Sequence, residues 1–70
     1  MRLNLKKART DAGITQAKMA EKLGISPRHY MYIESGGTLG SVPIWDALED
    51  LFGVNQRVLR ENHPDKANNP

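Results

Sequence analysis

Seventy residues with a formal net charge of +2 and 39% hydrophobic content make one small domain, near the lower size at which a chain folds on a single core. The absence of cysteine excludes a disulfide framework and a thiolate metal site, and no apolar run is long enough for a signal peptide or membrane span, which predicts a cytoplasmic protein. The charge is uneven: residues 1–28 hold seven basic groups against two acids, a net of +5, whereas residues 29–70 hold three against six, a net of −3. Such asymmetry suits a polyanion at one end of the molecule, or simply a solvated mixture of charges.

The apolar pattern has helical period throughout. In a first helix Leu5, Ala8 and Ala12 share the inward face, with Asn4 as N-cap, Leu3 placed to staple against Ala8, and Gly13 as terminator. Arg9 falls on the same inward face. Thr15 caps a second helix in which Met19, Ala20 and Leu23 recur at three-and-four spacing. Gly24 then supplies a left-handed turn, where a branched side chain is expected both to strain the backbone and to crowd Ala20. Ile25 plugs the turn from below, Ser26 caps a third helix, and Pro27 takes its first position. On that helix Tyr30 and Ile33 point inward with Glu34 beside them, while Arg28 and Tyr32 project together from the opposite face.

Residues 36–41, GGTLGS, form the one loop-like interruption. Val42 and Pro43 open a fourth helix with an apolar arc of Ile44, Trp45, Leu48, Leu51 and Phe52, and with Asp46, Glu49 and Asp50 on its wet side. Gly53 ends it, Val54 packs behind, and Asn55 caps a short fifth helix bearing Val58 and Leu59. After Glu61 the polar, proline-bounded segment NHPDKANNP has no periodicity and is expected to be disordered. The pattern predicts an all-α domain over residues 1–61 and a tail over 62–70.

The segment QAKMAEKLGISPRHYMYIE resembles the helix-turn-helix of the lambda-repressor and Cro type, the XRE-like regulators. Met19, Leu23, Ile25, Tyr30 and Ile33 stand at that family's apolar positions, Ala20 at its small one and Gly24 at its turn. The flanks Gly13-Ile14-Thr15-Gln16 and Ile33-Glu34-Ser35-Gly36 match as well, and the resemblance spans residues 3–61. It implies a compact five-helix, lambda-repressor-like DNA-binding domain. It further implies a buried or half-buried salt bridge between Arg9 and Glu34, in place of both charges reaching solvent at the domain edge.

A major groove admits an α-helix, and the first turn of the second motif helix reaches base edges. Arg28 is therefore the leading base-reading candidate through guanine O6 and N7, with a phosphate as the other option. Tyr32, Ser26, Pro27 and His29 are further base-reading candidates. Gln16, at the start of the preceding helix, is placed for a phosphate, with Lys6 and Lys18 as nonspecific phosphate contacts. In such domains the loop after the third helix runs along the DNA backbone, so Gly36, Gly37 and Thr38 are phosphate candidates through their N–H groups, or a plain connection. Basic residues common in that loop are absent here.

No metal site, cofactor loop or catalytic arrangement stands in the sequence, so no catalytic residue, metal, cofactor or small-molecule substrate is expected. Two functions follow. The first is a sequence-specific regulator, a small Cro/C1-type repressor in the prokaryotic cytoplasm or nucleoid, bound to a double-stranded operator, with a weak homodimer through Val58 and Leu59 of the C-terminal helix as an option. The second is a protein-interaction module, such as an antitoxin or anti-repressor partner, using an apolar region of Met31, Tyr32 and Trp45.

Overall fold

A computed structural model describes residues 1–63 as five helices: α1 (Leu3–Asp11), α2 (Gln16–Leu23), α3 (Pro27–Ser35), α4 (Val42–Phe52) and α5 (Gln56–Arg60). Their ends are fixed by local chemistry. Thr15 Oγ1 accepts from the Lys18 N–H at 3.1 Å, Ser26 Oγ accepts from the His29 N–H at 3.1 Å, and Asn55 Oδ1 accepts from the Arg57 N–H at 2.8 Å. Each bond satisfies a helical N–H that has no partner within its own helix. Gly24 ends α2 in the left-handed region, φ +71° and ψ 29°, and this reverses the chain into α3.

The start of α1 differs from the expected one. The helix begins at Leu3 with Arg2 at the cap position and no side-chain cap. Asn4 lies inside the first turn, where its amide donates to the Val58 carbonyl at 3.2 Å and to Glu61 Oε1 at 3.3 Å. A tertiary partner on α5 has displaced the local cap. At the other end Ala12 is exposed, because the helix stops at Asp11 and Ala12 follows it.

Leu5, Met19, Ala20, Tyr30, Ile33, Ile44, Trp45, Leu48 and Leu59 are buried together, with Ala8, Ile14, Leu23, Ile25, Phe52 and Val54 packed around them. α2 packs on α3, α1 lies against α3 and α5, and α4 lies against α5. Full burial of each large apolar side chain contributes roughly 1.5 to 3 kcal/mol. Leu51 falls outside the expected arc and is 45% exposed. Glu49 is drawn from the wet side of α4 toward α5, where Oε2 accepts from the Gln56 N–H at 3.0 Å.

The loop between α3 and α4 is fastened by Trp45, whose Nε1 donates to the Leu39 carbonyl at 2.6 Å. Of the segment expected to be disordered, residues 64–70 lie outside the described residues. Asn62 Nδ2 donates to the Gly36 carbonyl at 3.3 Å and the His63 N–H donates to the Met1 carbonyl at 2.8 Å. Among the described residues no helix is long and apolar enough to cross a membrane.

Candidate nucleic-acid interface

Helix α3 has two unlike faces. Ser26, Pro27, Arg28 and His29, its cap and first turn, are all exposed, and Tyr32 one turn on is 53% exposed. Tyr30, Ile33 and Glu34 are buried. The period of 3.6 residues explains the division: an inward Tyr30 and Ile33 force Arg28 and Tyr32 outward. Arg28 forms no ion pair among the described residues. Its guanidinium is thus available to an external acceptor.

The buried face rests on a polar network centred on Glu34. Arg9 Nε donates to Oε2 at 2.8 Å and Arg9 Nη2 to Oε1 at 3.0 Å, a two-pronged pairing. Tyr30 donates its hydroxyl to Oε2 at 2.7 Å, and Gln16 Nε2 donates to Oε1 at 3.2 Å. Arg9 Nη1 also donates to the Ile14 carbonyl at 2.7 Å. Burial pushes the Glu34 carboxyl up, but the hydrogen bonds of Arg9 and Tyr30, the Arg9 charge and Gln16 outweigh it, and the net shift is downward. The Glu34 hydrogen bond holds Arg9 above its ordinary value against the opposing effect of burial. Burial, followed by the bond to Glu34, raises Tyr30. The phenol therefore stays protonated and serves as a fixed donor.

Several sequence-derived candidates stand differently in this geometry. Gln16 is half-buried, and its amide is turned onto Glu34 rather than out from the start of α2. The loop N–H groups are not open to a phosphate. Gly36 N–H donates to the Ile33 carbonyl at 3.2 Å, and Gly37 and Thr38 N–H donate to the Tyr32 carbonyl at 2.9 and 3.4 Å. They complete the C-terminus of α3, whose last carbonyls lack helical partners.

Trp45 is 1% exposed and belongs to the core, as the apolar arc of α4 predicts and against the protein-partner reading, which needs it at the surface. Leu59 is fully buried and cannot reach a second copy, whereas Val58 is exposed. The basic half of the sequence is also less basic at its surface than its formal count. Arg2 and Arg9 are buried, Lys7 pairs with Asp11 at 3.0 Å, and Lys18 Nζ lies 3.6 Å from Glu21 Oε1. Lys6, Lys22 and Arg28 are exposed and outside any ion pair among the described residues.

Two participants escape the sequence reading. The Tyr30 hydroxyl has a legible signal, a polar tip on an inward position four residues before Glu34. Arg2 has none, since it precedes the helix and its partners are carbonyls distant in sequence.

A family model described as helix-turn-helix matches residues 5–55, from Leu5 on α1 to Asn55 before α5. The chain belongs to the Cro/C1-type helix-turn-helix family. α2, the Gly24 turn and α3 are its motif, and the family is one of DNA-binding regulators. Comparison with curated proteins and with solved structures finds no match.

Proposed function

We propose that this helix-turn-helix protein is a sequence-specific transcriptional regulator of the small repressor type, which places α3 in the major groove of an operator. The observation that carries this reading is the exposed, unpaired Arg28 in the first turn of a helix whose opposite face is locked into the core. In that pose Arg28 bonds bidentately to a guanine, and Tyr32 meets a thymine methyl or a phosphate. Ser26 retains a hydroxyl proton for a base or phosphate, because its oxygen is the acceptor in the cap. Pro27 offers apolar contact only, and His29 lies beside it at the exposed end. Lys6 and Lys18 add nonspecific attraction to the backbone.

Occupation of an operator by a domain of this size represses by exclusion. Two inverted half-sites match a symmetric pair of copies, with Val58 on the exposed side of α5 as a contact. The protein-partner reading draws on the exposure of Met31 and Tyr32 alone, now that Trp45 is buried.

Selection of bound duplexes from a random pool, followed by gel shifts at low and high salt, tests the proposal. The expected result is enrichment of a guanine-containing motif, in inverted repeats, with affinity that falls steeply as salt rises. Absence of binding at low salt would overturn it and favour a protein partner.

A further inference from the structure

Arg2 is 4% exposed and forms no ion pair among the described residues. Its Nη1 donates to the Ile33 carbonyl and, at 2.7 Å, to the Thr38 carbonyl, while Nε donates to the Arg60 carbonyl at 3.0 Å. The guanidinium carbon lies 5.3 Å from the centroid of the Trp45 ring. Three carbonyls from three places thus converge on one cation: the last turn of α3, the α3–α4 loop and the end of α5. Carbonyls in the last turn of a helix carry partial negative charge, and although the Ile33 carbonyl also accepts from the Gly36 N–H, it has a second lone pair for Arg2, so the cation is held by the ends of two helices at once. Burial, and then the nearby charge of Arg60, lowers the Arg2 pKa, the sign expected of a cation sheltered from water beside a second cation.

The same end of α3 is held by Asn62, whose Nδ2 bonds the Gly36 carbonyl. Glu34, one residue after Ile33, is anchored through its side chain to Arg9. The C-terminal end of α3 is therefore fixed to α1 through Arg9 and to the loop and α5 through Arg2. Its N-terminal end carries Arg28 and is exposed. α3 also packs on α2 along its inward face, so it moves as a rod: a small change in the hold on its C-terminal end tilts the first turn as well, and base contacts tolerate little misplacement.

We propose that Arg2 is a positioning residue for base recognition: by bridging the Ile33, Thr38 and Arg60 carbonyls over Trp45, it sets the angle at which α3 presents Arg28. The proposal rests on α3 being the DNA-reading helix, but part of its test does not. Arg2 is buried with its guanidinium turned onto backbone carbonyls, so its role shows in discrimination between sequences and not in salt dependence.

Arg2→Met and Arg2→Lys separate the contributions. Methionine removes the charge and all three bonds, whereas lysine keeps the charge and loses the fork. Amide hydrogen exchange should accelerate at Gly36, Gly37 and Thr38 in both variants, more in the methionine one, while the amides of α2 retain their protection relative to the parent. At a temperature where the variants are fully folded, binding to the duplex enriched from the random pool should weaken about tenfold relative to a scrambled duplex. The slope of affinity against salt should not change.

Uniform acceleration of exchange, or none, would reduce Arg2 to a contributor to global stability. Undiminished discrimination would overturn the positioning role, and a salt slope lower by about 0.9 would make Arg2 a phosphate contact. Where Arg2→Met does not fold, the same readings on Arg2→Lys decide. Failure of the parent to bind any duplex would remove the DNA reading while the exchange pattern still judges the hold of Arg2 on α3.

Discussion

At the scale of single residues, Glu34 shows how a charge becomes tolerable inside a small core. Four hydrogen bonds reach its carboxylate, from Arg9 twice, Tyr30 and Gln16. Removing the anion strands Arg9, so Glu34→Ala should cost about 3 kcal/mol in urea melts, while the double change Arg9→Met with Glu34→Leu should recover much of that loss. The pH dependence has a definite sign. The folded carboxyl titrates below the unfolded one, so its stabilisation is complete above the unfolded value and disappears as pH falls through the folded value. Melts taken from neutral pH down to about pH 3 should therefore show the parent losing stability that Glu34→Gln does not lose. Arg28 lies at the opposite extreme. It is exposed, so Arg28→Ala should leave the melt unchanged yet lose roughly 1 to 3 kcal/mol of preference at one base position per half-site, and nearly equal weakening on all duplexes would demote it to a phosphate contact.

At the scale of elements, the α2–α3 turn depends on backbone conformation and not on space. Gly24 sits at φ +71°, and a Cβ added there meets nothing within 4 Å, so alanine at this position does not crowd Ala20. Gly24→Ala should accordingly cost about 1 kcal/mol through the left-handed conformation alone. Gly24→Asn should cost less, because asparagine tolerates that region. Equal melts for parent, alanine and asparagine would show that the turn relaxes to another geometry. The three side-chain caps and the Gly24 turn were readable because they are local: a cap acts on an N–H two or three residues away. Asn4 does not cap α1 for the complementary reason: its competing partners, Val58 and Glu61, are near only in the folded chain.

At the scale of the whole molecule, α5 closes the core with one residue and faces outward with its neighbour. Leu59→Ala should cost about 3 kcal/mol, a large fraction of the stability of any small domain. Val58→Asp should leave the monomer melt nearly unchanged while lowering self-association on DNA, as read by sedimentation or by cooperativity in gel shifts. A strong destabilisation by Val58→Asp would mean that α5 is rotated from the orientation described. The formal excess of basic residues in the first 28 positions overstates the surface charge, because Arg2 and Arg9 point into the fold. The free positive charge at the surface of that half is correspondingly smaller than the sequence total suggests, and among the described residues Lys6, Lys22 and Arg28 carry it outside any ion pair.

The sequence by itself determined the helix count, the Gly24 turn, the inward set on α2 and α3, and the outward placement of Arg28 and Tyr32. Each of these follows from helical period and from caps acting over a few residues. The inward register of Arg9 and Glu34 was legible on the same ground. Only the tertiary structure decided where long polar side chains end: Gln16 on Glu34, Asn4 on α5, and Arg2 at the junction of α3, the loop and α5. It also decided that the Gly36, Gly37 and Thr38 N–H groups close α3, and that Leu59 is a core residue while Leu51 and Val58 are not. Period fixes a direction around one helix axis, but which directions are covered depends on the helices packed alongside, and the reach of a flexible side chain depends on acceptors that only folding brings near.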